Sequence, residues 1–590
     1  MLRRCAYLAA LSVCAFVPAA PTLAAEFKPV TAEVLLNPDP ADWLMINRTY
    51  DEQRFSPLNQ INRSNVGKLR MAWTRGMPPG TQESTPMVYN GVMYVIAPGG
   101  GVQALDATSG DLIWEYWRTY PKDMAQKIRA APLSRGKNLA MFEDMVYFAA
   151  ADGFLVALDA QTGKVRWETK AHDYTKGTEH TGGLMVADGK VISNRTCTQR
   201  DGCFIAAHDA RTGQEIWKFF NTASPDEPGG DTWGNLAPEK RSASSWGLPG
   251  SYDAKRKVLY WAIANPTPYT RLKRHGSADA VANTSPSELY SNSTVALDVG
   301  TGKLIWYYQH LPGDDWDSDH IHERTLLRTK VSPDPKFVKW INPTIPKGEE
   351  RDIVVEVAEA GDVFALDRDT GKFLWAEPFP YDSPGQTLQS IDVETGRTHI
   401  NVDDMFKKDG DKRLTCSYNT RSWWSTAYDP GRNALYVPFH DACLTMTANE
   451  KAPTGAGPRA GIQRPGIDEN AYVGIMKINL STGEMTRIHS QPWPGNGSAL
   501  VTGGDLLFWG DLNRRFHAFD ADSGKMLWEV PLGGMIMAST ISYAVNGKQY
   551  IAVFTGDGQS GTGNVLANVP KLKAVRGHNA VYVFALPDNK

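Results

Sequence analysis

An eleven-residue phrase recurs six times in this 590-residue chain, and every copy keeps an Asp and a Trp eight positions apart. The copies read ALDATSGDLIW (Asp106 to Trp114), ALDAQTGKVRW (Asp159 to Trp167), AHDARTGQEIW (Asp209 to Trp217), ALDVGTGKLIW (Asp298 to Trp306), ALDRDTGKFLW (Asp367 to Trp375) and AFDADSGKMLW (Asp520 to Trp528). A seventh, KINLSTGEMTR around Asn479, keeps the turn and loses the Trp. Each reads as a strand ending in Asp, a tight Thr/Ser-Gly turn whose Gly takes positive φ, and a second strand. One hairpin cannot bury its own apolar face, so successive copies must stack into a continuous core.

Further strand–turn–strand units surround Asn90-Gly91, Asp188-Gly189 and Asn546-Gly547. The intervals from Trp217 to Trp306 and from Trp306 to Trp375 exceed what a repeat needs, which places long loops there, where function tends to collect. The C-terminal stretch AVYVFAL (Ala580 to Leu586) has no phrase of its own. It is expected to pair with the segment around Leu69 to Trp73 and remove the open edges. Seven phrases and one closing unit predict an all-β, eight-bladed β-propeller with tryptophan-docking repeats.

A formal net charge of −3 gives no ground for a nucleic-acid or anionic-membrane partner. No composition break divides the chain, so residues 26–590 are expected to form a single domain. Residues 1–25 read as a signal peptide: Arg3 and Arg4 precede an apolar run from Cys5 to Val17, and Ala24 and Ala25 offer a cleavage site. The run is too short to span a bilayer comfortably, although a retained anchor is the alternative. Export points to the periplasm, where the four remaining cysteines suggest disulfides. The local pairing Cys197–Cys203 and Cys416–Cys443 is favoured over a zinc site, because the spacings lack a CxxC half. No CxxCH occurs, so no covalently attached c-type haem is expected.

Several loops carry chemistry. DDWDSDH (Asp314 to His320) concentrates carboxylates, and a carboxylate beside a Lewis-acidic metal can take the proton of an alcohol. AIANPTPY holds Asn265, WGLPGSYD holds Trp246, TQESTP holds Glu83 and LSRG holds Arg135. With the repeats and the export signal, these motifs resemble the periplasmic quinoprotein alcohol dehydrogenases over nearly the whole mature chain. The resemblance implies a propeller carrying pyrroloquinoline quinone (PQQ) and one metal ion, a lanthanide(III) or Ca2+. It implies Asp317 as the base, with hydride passing from the alcohol carbon to C5 of PQQ. Metal ligands would be Gln199, Asn265, Asp317 and Asp319, the last matching the extra carboxylate of lanthanide-dependent members. Glu83, Arg135, Thr181, Thr196 and Trp246 would bind the cofactor, Trp246 as the floor beneath its rings. A separate cytochrome c would take the electrons, and the subunit count stays open, a homodimer included.

Three positions depart from the family pattern. Arg129-Ala130 stand where two adjacent cysteines are usual, Gln199 where a ligating Glu is usual, and Glu359-Ala360-Gly361 where a basic residue is usual. Ser422 likewise replaces an Asn before Trp423-Trp424. A reshaped ceiling suggests a bulky secondary alcohol, polycyclic or toxin-like, rather than methanol. The competing readings are a non-catalytic propeller scaffold for protein binding and a sugar or polyol dehydrogenase of the same class.

Overall fold

The computed structural model describes residues 27–128, 136–382, 385–416, 418, 420–558 and 561–588. The expected signal peptide and the stretch 129–135, with Arg135 and the Arg129-Ala130 departure, lie outside the described residues. The described chain is nearly all β. Eight sheets of four or five strands follow one another, and two smaller sheets are built from residues between 388 and 463.

The first sheet shows the plan: Met87–Tyr89, Val92–Ala97, Gly101–Asp106 and Leu112–Trp117 pair antiparallel in chain order. Its first turn has Asn90 and Gly91 both at positive φ (48° and 78°), the two-residue geometry that matches strand twist. In the phrase itself the Asp106 carboxylate accepts from Thr108 N (2.7 Å) and Ser109 N (3.2 Å), and Gly110 turns the chain at φ 78°. The same Asp-centred turn recurs at Asp159, Asp209, Asp298, Asp367 and Asp520.

Four of the phrases, and the strand that carries Trp73, touch the following sheet through a Trp. The indole N–H groups of Trp73, Trp114, Trp167, Trp217 and Trp306 donate to Ala107, Ala160, Ala210, Val299 and Arg368 carbonyls at 2.9–3.3 Å, each in the turn of the following sheet. The rings lie over the turn glycines: a Cβ at Gly163 would fall 2.4 Å from the Trp114 ring, and one at Gly302 2.5 Å from Trp217. Where the phrase degenerates, so does the contact. Val338 takes the place over Gly483, and the buried Trp375 indole N–H has no partner among the described residues.

Closure occurs as the sequence suggested: Arg70–Gly76 pairs antiparallel with Ala580–Ala585 in the eighth sheet. A second device was not legible. The N-terminal segment makes contact with every sheet in turn. Trp43 pairs with Val88 of the first sheet, and Val30 pairs with Glu143 beside the second. Tyr50 Oη donates to Val186 O (2.6 Å) in the third, and Tyr252 N of the fourth donates to Tyr50 O (3.0 Å). Leu326 N of the fifth and Tyr428 N of the sixth donate to Asp51 O and Gln53 O (both 2.8 Å). Phe55–Ser56 adds a parallel strand to the seventh, and Ala544 N of the eighth donates to Ala41 O (2.9 Å). Arg54, fully buried, donates to Ile46 O, Asn47 Oδ1, Ala499 O and Thr540 O.

Gly163→Ala and Gly189→Ala separate ring contact from backbone strain, since both glycines have positive φ but only Gly163 lies under an indole. Chemical denaturation is expected to cost Gly189→Ala about 1 kcal/mol. Gly163→Ala should lose a further ~1–3 kcal/mol by overpacking.

Candidate active site

The DDWDSDH loop follows the fourth sheet and is folded by its own first carboxylate. Asp314 Oδ1 accepts from Trp316 N (2.7 Å) and Asp317 N (2.9 Å), and Oδ2 accepts from Ser318 N (2.9 Å) and Asn292 Nδ2 (3.1 Å). Asp315 is tied down by Arg271 N (2.6 Å) and Phe406 N (2.8 Å). Behind them Arg274 donates to Asp314 O (2.7 Å) and pairs with buried Glu288 (2.8 Å). This bracing holds Asp317 at φ 68°, a left-handed backbone that non-glycine residues seldom adopt. Backbone strain of this kind is costly and persists only where the surroundings enforce it.

The loop presents Asp317 and Asp319 to Asn265. The Asn265 side-chain amide donates to Asp317 Oδ1 (3.1 Å), and its backbone N–H donates to Asp319 Oδ1 (2.9 Å). Trp246, half-buried, donates its indole N–H to Asp319 Oδ2 (3.0 Å). So Asn265, Asp317, Asp319 and Trp246 form one network, although they come from three separate loops around the fourth sheet.

Glu359 adds a third carboxyl. Its backbone N–H donates to Asp319 O (3.2 Å), and its buried carboxyl is pushed well above the ordinary range by burial and then by Asp319 and Asp317. Burial raises Asp317 to about 6 against the opposing charge of Arg459. Burial and then the Asp317 charge raise Asp319 to about 8. The half-buried carboxyl of Asp317 and the buried ones of Asp319 and Glu359 thus meet the guanidinium of Arg459, whose Nη2 lies 2.7 Å from Asp317 Oδ2, with Arg421 acting on Glu359 as well. An all-oxygen, anion-rich set suits a hard cation.

The other expected residues fall into three groups. Glu83 is buried against Lys137 Nζ (2.5 Å), which also sits 4.1 Å above the Trp423 ring. Thr181 and Thr196 share a hydrogen bond between their hydroxyls (2.6 Å). Gln199 is not brought to the carboxylates. It is exposed in the loop closed by the Cys197–Cys203 disulfide, where it heads the turn Arg200–Gly202 and its carbonyl accepts from Gly202 N (3.0 Å). That six-residue clip turns position 199 toward solvent. Cys416–Cys443 is the second bridge, so both favoured pairings are present.

Arg459, Tyr269, Tyr418 and Lys137 escaped the sequence reading. Lys137 lies two positions beyond the LSRG arginine and carried a visible signal; Arg459 is far along the chain and carried none. A second set of possible metal ligands, His310, His320 and Glu356, is buried nearby. There Arg324 Nη1 already pairs with Glu356 Oε2 (2.5 Å), and its fixed positive charge opposes a metal ion.

The raised carboxyls imply a pH effect of definite sign. Asp319 holds its proton in the folded chain to about pH 8, whereas in the unfolded chain it loses it near 3.8. The stabilising contribution is complete below 3.8 and is lost as pH climbs toward 8. Thermal melts of cofactor-free protein between about pH 4 and pH 8 should therefore decline less steeply in Asp319→Asn than in the unaltered chain.

The family model for the β-propeller domain of glucose, ethanol and alcohol dehydrogenases that use PQQ matches residues 43–379 and 472–551. The dehydrogenase subunit of alcohol dehydrogenase (quinone) from Gluconobacter oxydans is 31% identical over 567 residues, covering 88% of this chain and 71% of that protein. Quinohemoprotein alcohol dehydrogenase ADH IIB of Pseudomonas putida is 30% identical over 579 residues, covering 92% and 77%. Among solved structures, a europium-containing methanol dehydrogenase superposes with a TM-score of 0.81 at 26% identity, over 93% of this chain and 99% of that one. With an all-β chain, a carboxylate network and these relatives in agreement, the chain belongs to the PQQ-dependent alcohol dehydrogenase family and is an alcohol oxidoreductase of that class.

Proposed function

We propose that this chain is a periplasmic enzyme, exported by residues 1–25 and folded from residue 26 as a single eight-bladed propeller whose blades dock through tryptophans. It oxidises an alcohol to the aldehyde or ketone, with Asp317 as the base and a cytochrome c as electron acceptor. The reading rests above all on Asp317: half-buried, held at positive φ by Asp314, and joined through hydrogen bonds to Asn265, which also binds Asp319.

The residues present fit the family's cofactor and cation. Asn265, Asp317 and Asp319 offer oxygen ligands in a cluster with more carboxyls than guanidinium groups. The third carboxyl, Glu359, favours a lanthanide(III) over Ca2+. The Trp246 ring is fixed by its own N–H on Asp319 and packs beside Trp423, Met535 and Met537, an apolar aromatic wall suited to a flat ring system. Glu83, Thr181 and Thr196 are the polar groups assigned to that cofactor. Bound here, the quinone supplies the hydride acceptor and the cation supplies the Lewis acid.

The chain's own contributions follow from geometry. Asp314 and Arg274 keep the Asp317 carboxylate in place. Asp317 takes the proton of the alcohol oxygen as hydride leaves the carbon, which avoids a free alkoxide. A cytochrome c acceptor is supported by the 1-butanol dehydrogenase (cytochrome c) of Thauera butanivorans, 29% identical over 567 residues, covering 91% of this chain and 77% of that protein.

Protein reconstituted with PQQ and europium or calcium should reduce an artificial dye in the presence of alcohol. Asp317→Ala should lower kcat by ~10^2-fold or more. Turnover retained by that variant would remove the assigned base. A bulky secondary alcohol should show a higher kcat/KM than methanol in the same assay, and a clear methanol preference would refute the substrate class.

A further inference from the structure

The family model leaves residues 380–471 unmatched. Within them Lys412–Cys416, Ala442–Ala448 and Ala456–Gln463 make a small antiparallel sheet apart from the eight large ones. Cys416 lies directly opposite Cys443, and their disulfide staples the first two strands. The tip of the hairpin docks on the turn just after Asn265-Pro266, where Tyr269 N donates to Thr454 O (2.7 Å) and Thr270 Oγ1 to Gly455 O (3.3 Å). The third strand lies at the edge of the small sheet and carries Arg459.

All four carboxylate oxygens of Asp317 and Asp319 face a donor. Asn265 Nδ2 meets Asp317 Oδ1 (3.1 Å), and Arg459 Nη2 meets Asp317 Oδ2 (2.7 Å). The two oxygens of Asp319 meet Asn265 N (2.9 Å) and Trp246 Nε1 (3.0 Å). Three of these donors are neutral and belong to loops that flank strands of the fourth sheet. Only Arg459 is charged, and it reaches in on a long side chain from outside that sheet. The Arg459 side chain keeps 20% of its surface exposed and that of Asp317 15%, so the pair stands open to solvent. Behind the guanidinium, Tyr418 Oη accepts a hydrogen bond from Nη2, and the ring centres of Tyr269 and Tyr418 lie 5.0 and 5.6 Å away. Two aromatic faces form a cradle that holds a guanidinium released from its carboxylate.

We propose that Arg459 is a built-in counter-ion that a metal ion must displace from Asp317, and that it thereby sets the affinity and the charge preference of the cation site. The inference rests on the reading of Asp317 and Asp319 as cation ligands. Before a metal arrives, Arg459 offsets the charge of Asp317 beside the carboxyls of Asp319 and Glu359. An entering cation competes with that guanidinium for Asp317 Oδ2, and the Coulomb cost of approaching a fixed positive charge grows with the charge that enters. Arg459 therefore holds back a trivalent ion more than a divalent one. The exchange needs only a side-chain swing toward Tyr269 and Tyr418, with the hairpin left in place.

The test needs no turnover. The full chain, freed of cations with a chelator and supplied with PQQ, is titrated with CaCl2 and with EuCl3 in a calorimeter. Arg459→Gln should bind calcium more tightly than the unaltered chain by on the order of 10-fold or more, and the logarithm of the gain should be about half as large again for europium. Arg459→Lys keeps the charge and should give back most of the difference. Arg166→Gln makes the same change of net charge on the edge strand of the second sheet, and should bind like the unaltered chain. Thermal melts supply a second readout and show that the variants fold. Without cation Arg459→Gln should melt below the unaltered chain, and added europium should raise its midpoint by more. Affinities that Arg459→Gln leaves unchanged or weakens, or a gain that Arg166→Gln shares, overturn the proposal and leave the ligand assignment standing. If neither cation binds any of these chains, the reading of Asp317 and Asp319 as ligands falls, and the proposal with it.

Discussion

A single N-terminal segment satisfies the inner edges of the entire ring. The first strand of each sheet exposes backbone donors and acceptors toward its neighbours, and buried groups of this kind must find partners. Residues 30–56 meet that demand sheet by sheet, from Val30 on Glu143 to Phe55 on Val501. Arg54 has the hardest position: burial lowers its affinity for a proton to about 9, and its guanidinium is spent on carbonyls of the segment itself and of the seventh and eighth sheets. Around the outside, indoles over turn glycines fasten one sheet to the next. The ring is therefore fixed on two radii, by a hydrogen-bonded hub and by a belt of aromatic contacts.

Such a rigid frame lets the site be built from loops without losing precision. Asp317 owes its position to Asp314, Asp314 to Asn292 and Arg274, and Arg274 to Glu288. Every residue behind Asp317 is buried, and each supplies the partner that the next one needs. Against this family framework the stretch 380–471 brings the Arg459 guanidinium to Asp317, beside the carboxyl of Glu359.

Repetition is what made the fold legible. A phrase with a fixed Asp, a fixed Gly and a fixed Trp encodes strand, turn and contact at once, and the turns at Asp106, Asp159 and Asp298 follow it closely. Asn265, Asp317 and Asp319 were legible because their motifs are short and local. Gln199 was misplaced because a count along the chain says nothing of the bend that the Cys197–Cys203 bridge imposes. Arg459 was invisible for a different reason: it reaches Asp317 across 142 positions, on a hairpin whose sequence has no periodic mark. The N-terminal hub shared that fate, since non-repeating residues give no sign of pairing with eight separate sheets.

The joining of Arg70–Gly76 to Ala580–Ala585 also sets an order in time. A ribosome releases the first of these strands some five hundred residues before the second, so the eighth sheet stays a strand short until residues 580–585 have emerged. Until then the nascent chain displays an unpaired β-edge, the kind of surface that recruits a neighbouring molecule instead. Folding of this ring thus waits on residues 580–585, and a chain truncated before them is exposed to self-association rather than to a mild loss of stability.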